Sequence, residues 1–100
     1  MSIDDLLATA TGFDWDEGNE TKNWAKHQVS KAECEQVFFN LPLVVQPAQE
    51  HLQRESRFYG LGQTDDDRLL FVVFTMRSDL VRVISARPMS RRERRIYSAS

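Results

Sequence analysis

The stretch from residue 57 to residue 86 constrains the fold more than any other part of the chain. Three segments rich in β-branched and aromatic residues, 57–62, 69–75 and 80–86, are separated only by short polar connections. Connections that short join antiparallel neighbours, because a parallel crossover needs a dozen residues or more. The middle segment, Leu69-Leu70-Phe71-Val72-Val73-Phe74-Thr75, is almost continuously apolar, the signature of a central strand covered on both faces. Asp65-Asp66-Asp67 makes one solvated turn and Arg77-Ser78-Asp79 another. This part of the chain therefore predicts an antiparallel meander.

Helices are expected on either side of it. Asp16 can cap a helix that runs to about His27, with Glu17 favoured in its first turn by the helix dipole and Trp24 as its aromatic anchor. Ser30 and Glu33 form a capping box, with Val29 and Cys34 placed as a hydrophobic staple. Cys34, Val37, Phe38 and Leu41 then mark a buried stripe that Pro42 ends. Residues 43–45 fit a short edge strand before Pro47, and 46–56 read as loop. After the sheet, Pro88 and a second capping box, Ser90 and Glu93, launch a helix through Tyr97. The alternation Phe13-Asp14-Trp15-Asp16 has the period of a short strand. The expected fold is α+β: an antiparallel meander of three to four strands with two N-terminal helices and one C-terminal helix. One hundred residues hold one core, so residues 13–100 form a single domain. Residues 1–12 are expected to be an N-terminal extension, frayed or loosely docked.

Charge is distributed unevenly along this domain. Residues 1–67 carry a balance of −8 and residues 68–100 a balance of +6, with all eight C-terminal bases arginine. Arginine offers a planar fork matched to phosphate. Two explanations compete: a solvated basic helix answering an acidic half, or a polyanion-binding face. Arg91 and Arg95 share a helix face, and four arginines so close repel unless an anion lies nearby. Arg57, Arg77, Arg82 and Arg87 lie on or beside the strands, where they could line a groove.

Other chemistries find no support. His27, His51 and Cys34 lack metal-ligand spacing, the four glycines form no phosphate loop, and no cofactor is expected. The apolar run is far shorter than a membrane span, residues 1–12 do not read as a secretory signal, and one cysteine suits a reducing cytoplasm. No helix-turn-helix or zinc-finger spacing appears, so direct DNA binding ranks low. RNA cleavage without a metal needs a base for the ribose 2′-OH, cations for the phosphorane and an acid for the leaving oxygen. The arginines supply the cations; Lys26, His27, Glu55 and Tyr97 are candidates for proton transfer or for orienting the substrate.

Phe13-Asp14-Trp15-Asp16, then Asn23 with Lys26-His27, then a capped helix ending in Val37-Phe38, resembles the opening of BrnT-type toxins. The second half agrees through Glu55-x-Arg57, Ile84-Ser85-Ala86-Arg87, Arg91-Arg92-Glu93-Arg94 and Tyr97, so the similarity covers about residues 13–97. The resemblance implies a metal-independent endoribonuclease with a RelE-like fold, the toxin of a bacterial type II toxin–antitoxin pair. It implies growth arrest, neutralisation by a cognate antitoxin, and contact with DNA only through that antitoxin. Arg57, Arg77, Arg82, Arg87, Arg91 and Arg92 would bind RNA. The rival reading is a non-catalytic interaction or RNA-binding module, an inactive homologue. Where the family has glycine after Lys-His, this chain has Gln28, which predicts an altered turn or local strain.

Overall fold

The computed structural model describes residues 3–48 and 56–100. Nine elements follow in chain order: α1 (Ile3–Ala8), β1 (Gly12–Phe13), α2 (Glu17–His27), α3 (Lys31–Val37), β2 (Val44–Pro47), β3 (Arg57–Gln63), β4 (Leu69–Arg77), β5 (Leu80–Pro88) and α4 (Arg91–Ser98). The expected meander β3-β4-β5 is present, and β2 lies antiparallel on its β3 edge.

The sheet is larger than expected and not purely antiparallel. Its order is β1-β5-β4-β3-β2, with β1 parallel to β5. Only Gly12 and Phe13 pair with Leu80 and Val81, and Thr11 N–H to Asp79 and Asp14 N–H to Val81 extend the contact. A two-residue ladder between distant segments carries no hairpin signal, so periodicity could not announce it. The N-terminal extension contributes α1, and its Leu7 and Ala10 pack against the core.

Helices α2 and α3 cover one face of the sheet. Beneath them, Val29, Cys34, Val37, Leu70, Val72, Phe74, Val83 and Ala86 are buried. The capping box at Ser30 and Glu33 forms in full, and the stapled Val29 and Cys34 are completely buried. Packing is close enough that a Cβ on Gly62 would lie 2.6 Å from Val37 Cγ1, so the glycine lets α3 settle directly on β3. Trp15 Nε1–H donates to Glu35 Oε2 at 2.8 Å, fixing the exit of β1 to α3.

Two apolar expectations fail. Leu41 is 83% exposed, because α3 ends at Val37 and the chain turns before the next position of the stripe is reached. Trp24 is 58% exposed, and among the described side chains of α2 the buried one is its neighbour Asn23. On the other face of the sheet α4 packs Tyr97 with Leu61 and Met89 at one end. Among the described residues no helix covers the far end of that face, where Thr75 is nonetheless buried at 2% exposure.

Candidate functional site

Strand register decides where the arginines point. Arg57 pairs with Thr75, and Thr75 with Arg82; Arg87 pairs with Phe71. Phe71, Val73, Thr75 and Arg77 alternate onto the side of β4 away from α2 and α3. On β5, strict alternation would send Arg82 and Arg87 to opposite sides. The register shift between Val73 and Phe74, opposite Ser85 and Val83, leaves Ile84 as an extra residue and returns both arginines to one face. All four strand arginines therefore share the face turned away from α2 and α3.

They do not converge on one point. Four residues of β4 separate the rows of Arg82 and Arg87, about 13 Å along the strand, so no single phosphate spans both. Carboxylates also hold them. Arg82 reaches Asp14 at 3.3 Å and Asp16 at 3.2 Å, and Arg77 lies 4.0 Å from Asp14. Arg87 makes a two-bonded fork with Glu93, 2.8 Å on each arm, and its guanidinium lies 4.2 Å over the Phe71 ring. That fork keeps the Glu93 carboxyl below its ordinary range and raises Arg87. Arg57 Nε is buried with no hydrogen-bond partner among the described residues.

A second gathering occurs where α2 meets β5. Strand β1 ends opposite Val81, so among the described residues the later part of β5 pairs with β4 on one edge and with no strand on the other. Asn23, 2% exposed, meets that second edge: its Oδ1 accepts from the Ala86 N–H at 3.2 Å. The contact places the last turn of α2 beside the end of β5. A pocket of about 260 Å³ opens there, lined by Lys22, Asn23, Lys26, His27, Ser85, Ala86 and Arg87. Lys26, His27 and Arg87, three residues expected in the site from opposite halves of the chain, thus meet in one cavity.

The backbone of that corner is braced. Gln28 closes α2 in the left-handed region, φ 53° and ψ 42°, the turn at which a glycine is ordinarily favoured. Arg68 Nη1 donates to the Gln28 carbonyl at 2.9 Å and to both oxygens of Glu33, and its Nη2 donates to the His27 carbonyl at 3.3 Å. The backbone at His27 is therefore held from the turn before β4.

The remaining expected residues lie elsewhere. Tyr97 is buried under α4, and its hydroxyl donates to the Pro42 carbonyl at 2.7 Å; burial raises its pKa. Arg91 and Arg92 are exposed in the first turn of α4. Glu55 falls outside the described residues. Burial, then the nearby Glu33 and Glu35, push the Cys34 thiol up to about 12, which makes it an inert core residue. Among the described residues no three His, Cys, Asp or Glu side chains gather as metal ligands would, and no helix is long and apolar enough to cross a membrane. Lys22, Asn23 and Ser85 belong to the pocket but went unnoticed as site residues. The one available signal was a polar residue on the inward side of α2.

Comparison with known proteins bears on the same residues. The family model described as "Ribonuclease toxin, BrnT, of type II toxin-antitoxin system" matches residues 15–93. The crystal structure of the Brucella abortus ribonuclease toxin BrnT is similar at a TM-score of 0.62 and 26% identity, over 82% of this chain and 100% of that one. Among curated proteins none matches. The matched stretch takes in the pocket and all four strand arginines, and the chain belongs to the BrnT family of type II toxin–antitoxin ribonuclease toxins.

Proposed function

We propose that this protein is an active, metal-independent endoribonuclease that cuts RNA in the pocket between α2 and β5. The observation that supports this most is the meeting of Lys26, His27 and Arg87 in one cavity. Cleavage there would follow the internal route. A base takes the proton of a ribose 2′-OH, O2′ bonds to phosphorus, and the P–O5′ bond breaks as O5′ takes up a proton. The products are a 2′,3′-cyclic phosphate and a 5′-hydroxyl. His27 is the proton-transfer group within the cavity, and Glu55, which falls outside the described residues, is the second candidate. Lys26 and Arg87 balance the charge that grows on the phosphorane oxygens. The Glu93 fork holds the Arg87 plane still, and the guanidinium keeps donors to spare after those bonds.

Arg57 and Arg82 then serve phosphates about 13 Å away along the face turned from α2 and α3, Arg77 one about 20 Å away, and Arg91 and Arg92 extend the basic surface on α4. Tyr97 acts by holding α4 in place through Pro42. The same reading takes in the RelE-like kinship, a cytoplasmic site of action, growth arrest, neutralisation by a cognate antitoxin, and contact with DNA through that antitoxin alone. One observation favours the rival, a non-catalytic module: Arg82 and Arg87 are paired with carboxylates. Purified protein incubated with total RNA in EDTA separates the two. Cleavage with cyclic-phosphate ends is expected; intact RNA that is nonetheless bound would contradict the enzyme.

A further inference from the structure

We propose that Asn23 Nδ2 is a fixed hydrogen-bond donor to a non-bridging oxygen of the phosphodiester. The inference deepens the reading of the α2–β5 pocket as the RNA site and rests on it. Asn23 is 2% exposed, yet its Nδ2 is buried with no hydrogen-bond partner among the described residues. Its orientation leaves no choice, since only an oxygen can accept from the Ala86 N–H. The amide nitrogen is therefore turned away from the strand, on a residue that lines the cavity.

The strand itself does not call for that nitrogen. The Ala86 N–H needs only an acceptor oxygen, which an aspartate also has, so the bond to the strand does not account for the amide nitrogen. A buried unpaired donor is costly, and such groups are rare in native proteins. Lys22, Lys26 and Arg87 are donors only, and among the described residues the acceptors that line the cavity, Ser85 and His27, make no bond to it. A phosphate oxygen in the cavity would supply the missing partner. A neutral donor locked by its own carbonyl also needs no rearrangement as charge develops, the property that makes such donors effective in transition states.

Side-chain amide NMR of the intact protein tests this directly. Two probes are added in turn: inorganic phosphate, then an RNA oligomer with 2′-O-methyl groups throughout, which cannot be cut. The Asn23 NH2 signals are expected to move downfield with both. Movement of Lys26 and His27 signals while Asn23 stays still would overturn the inference and leave the pocket reading intact; no movement in any pocket residue would overturn both. Asn23→Asp keeps the acceptor for Ala86 and removes the donor. It should still fold, at a melting temperature lowered by the buried carboxylate, while cleavage falls on the order of a hundred- to a thousand-fold. Unchanged cleavage in a folded Asn23→Asp protein would also overturn the inference, and if that variant fails to fold, the NMR titration alone decides.

Discussion

Helices α3 and α4 both begin with a Ser-x-x-Glu capping box, and in both the glutamate also binds an arginine from the sheet. Glu33 takes Arg68 from the turn before β4, and Glu93 takes Arg87 from the end of β5. The surroundings then diverge. Arg68 donates to two backbone carbonyls as well as to its carboxylate, and so braces the α2–α3 turn. Arg87 lies flat on Phe71 and forms a wall of the α2–β5 pocket. One motif thus supports the corner that holds His27, and the other fixes an arginine that borders the cavity. An Arg–Glu pair is not evidence against function; its other neighbours decide what it does.

This contrast can be broken first at the two arginines. Arg87→Ala should lower RNA cleavage by two to three decades, about 3–4 kcal/mol of transition-state stabilisation, with a smaller loss of stability. Arg68→Ala should do the reverse. It should cost about 1–2 kcal/mol in denaturant unfolding, since Arg68 is partly exposed, and slow cleavage only through a loosened His27. Equal effects of the two variants on both measurements would erase the distinction.

Acid sharpens it further. Burial alone would raise the Glu33 carboxyl, but the bonds from the Ser30 N–H and Arg68 outweigh it, and Glu93 is lowered chiefly by the Arg87 fork. A carboxyl depressed in the folded state stabilises above its unfolded pKa, and that contribution disappears as pH falls through the folded value. Stability should therefore drop below about pH 4.5, the ordinary glutamate value. Glu33→Gln and Glu93→Gln should each flatten the acid limb of a melting-temperature profile; an unaltered limb in both would contradict the assignment.

The smallest expected effect concerns Gln28. Placing glycine at its left-handed φ of 53° should stabilise the protein by about 1 kcal/mol, read as a higher denaturant midpoint. A lower midpoint would mean that the Gln28 side chain makes a compensating contact.

Much of the scaffold was legible because local rules carry it. Both capping boxes, the Asp16 cap, the β3-β4-β5 meander and the β2 edge strand each depend on neighbours close in sequence. The left-handed turn after His27 was legible too, through the residue that replaces glycine. The misses are long-range. The β1–β5 pairing joins residues 12–13 to 80–81, and the Ile84 irregularity that aligns Arg82 with Arg87 has no signature in composition. The site was legible as residue types, and Lys26, His27 and Arg87 do share a cavity. Asn23 was read only as part of a motif, because its burial comes from the missing strand beside β5. Trp24 looked like the anchor on hydrophobicity alone, and packing chose its neighbour.

The account stands on the α2–β5 pocket being the place where RNA is cut. Cleavage rates of His27→Ala and Arg77→Ala, measured side by side at saturating RNA in EDTA, test that most directly. The His27 variant should lose about two decades or more, the usual worth of a positioned proton-transfer group, while the Arg77 variant changes mainly the concentration of RNA required. A fully active His27 variant beside an inactive Arg77 variant would move the chemistry to the other end of the sheet and contradict the account.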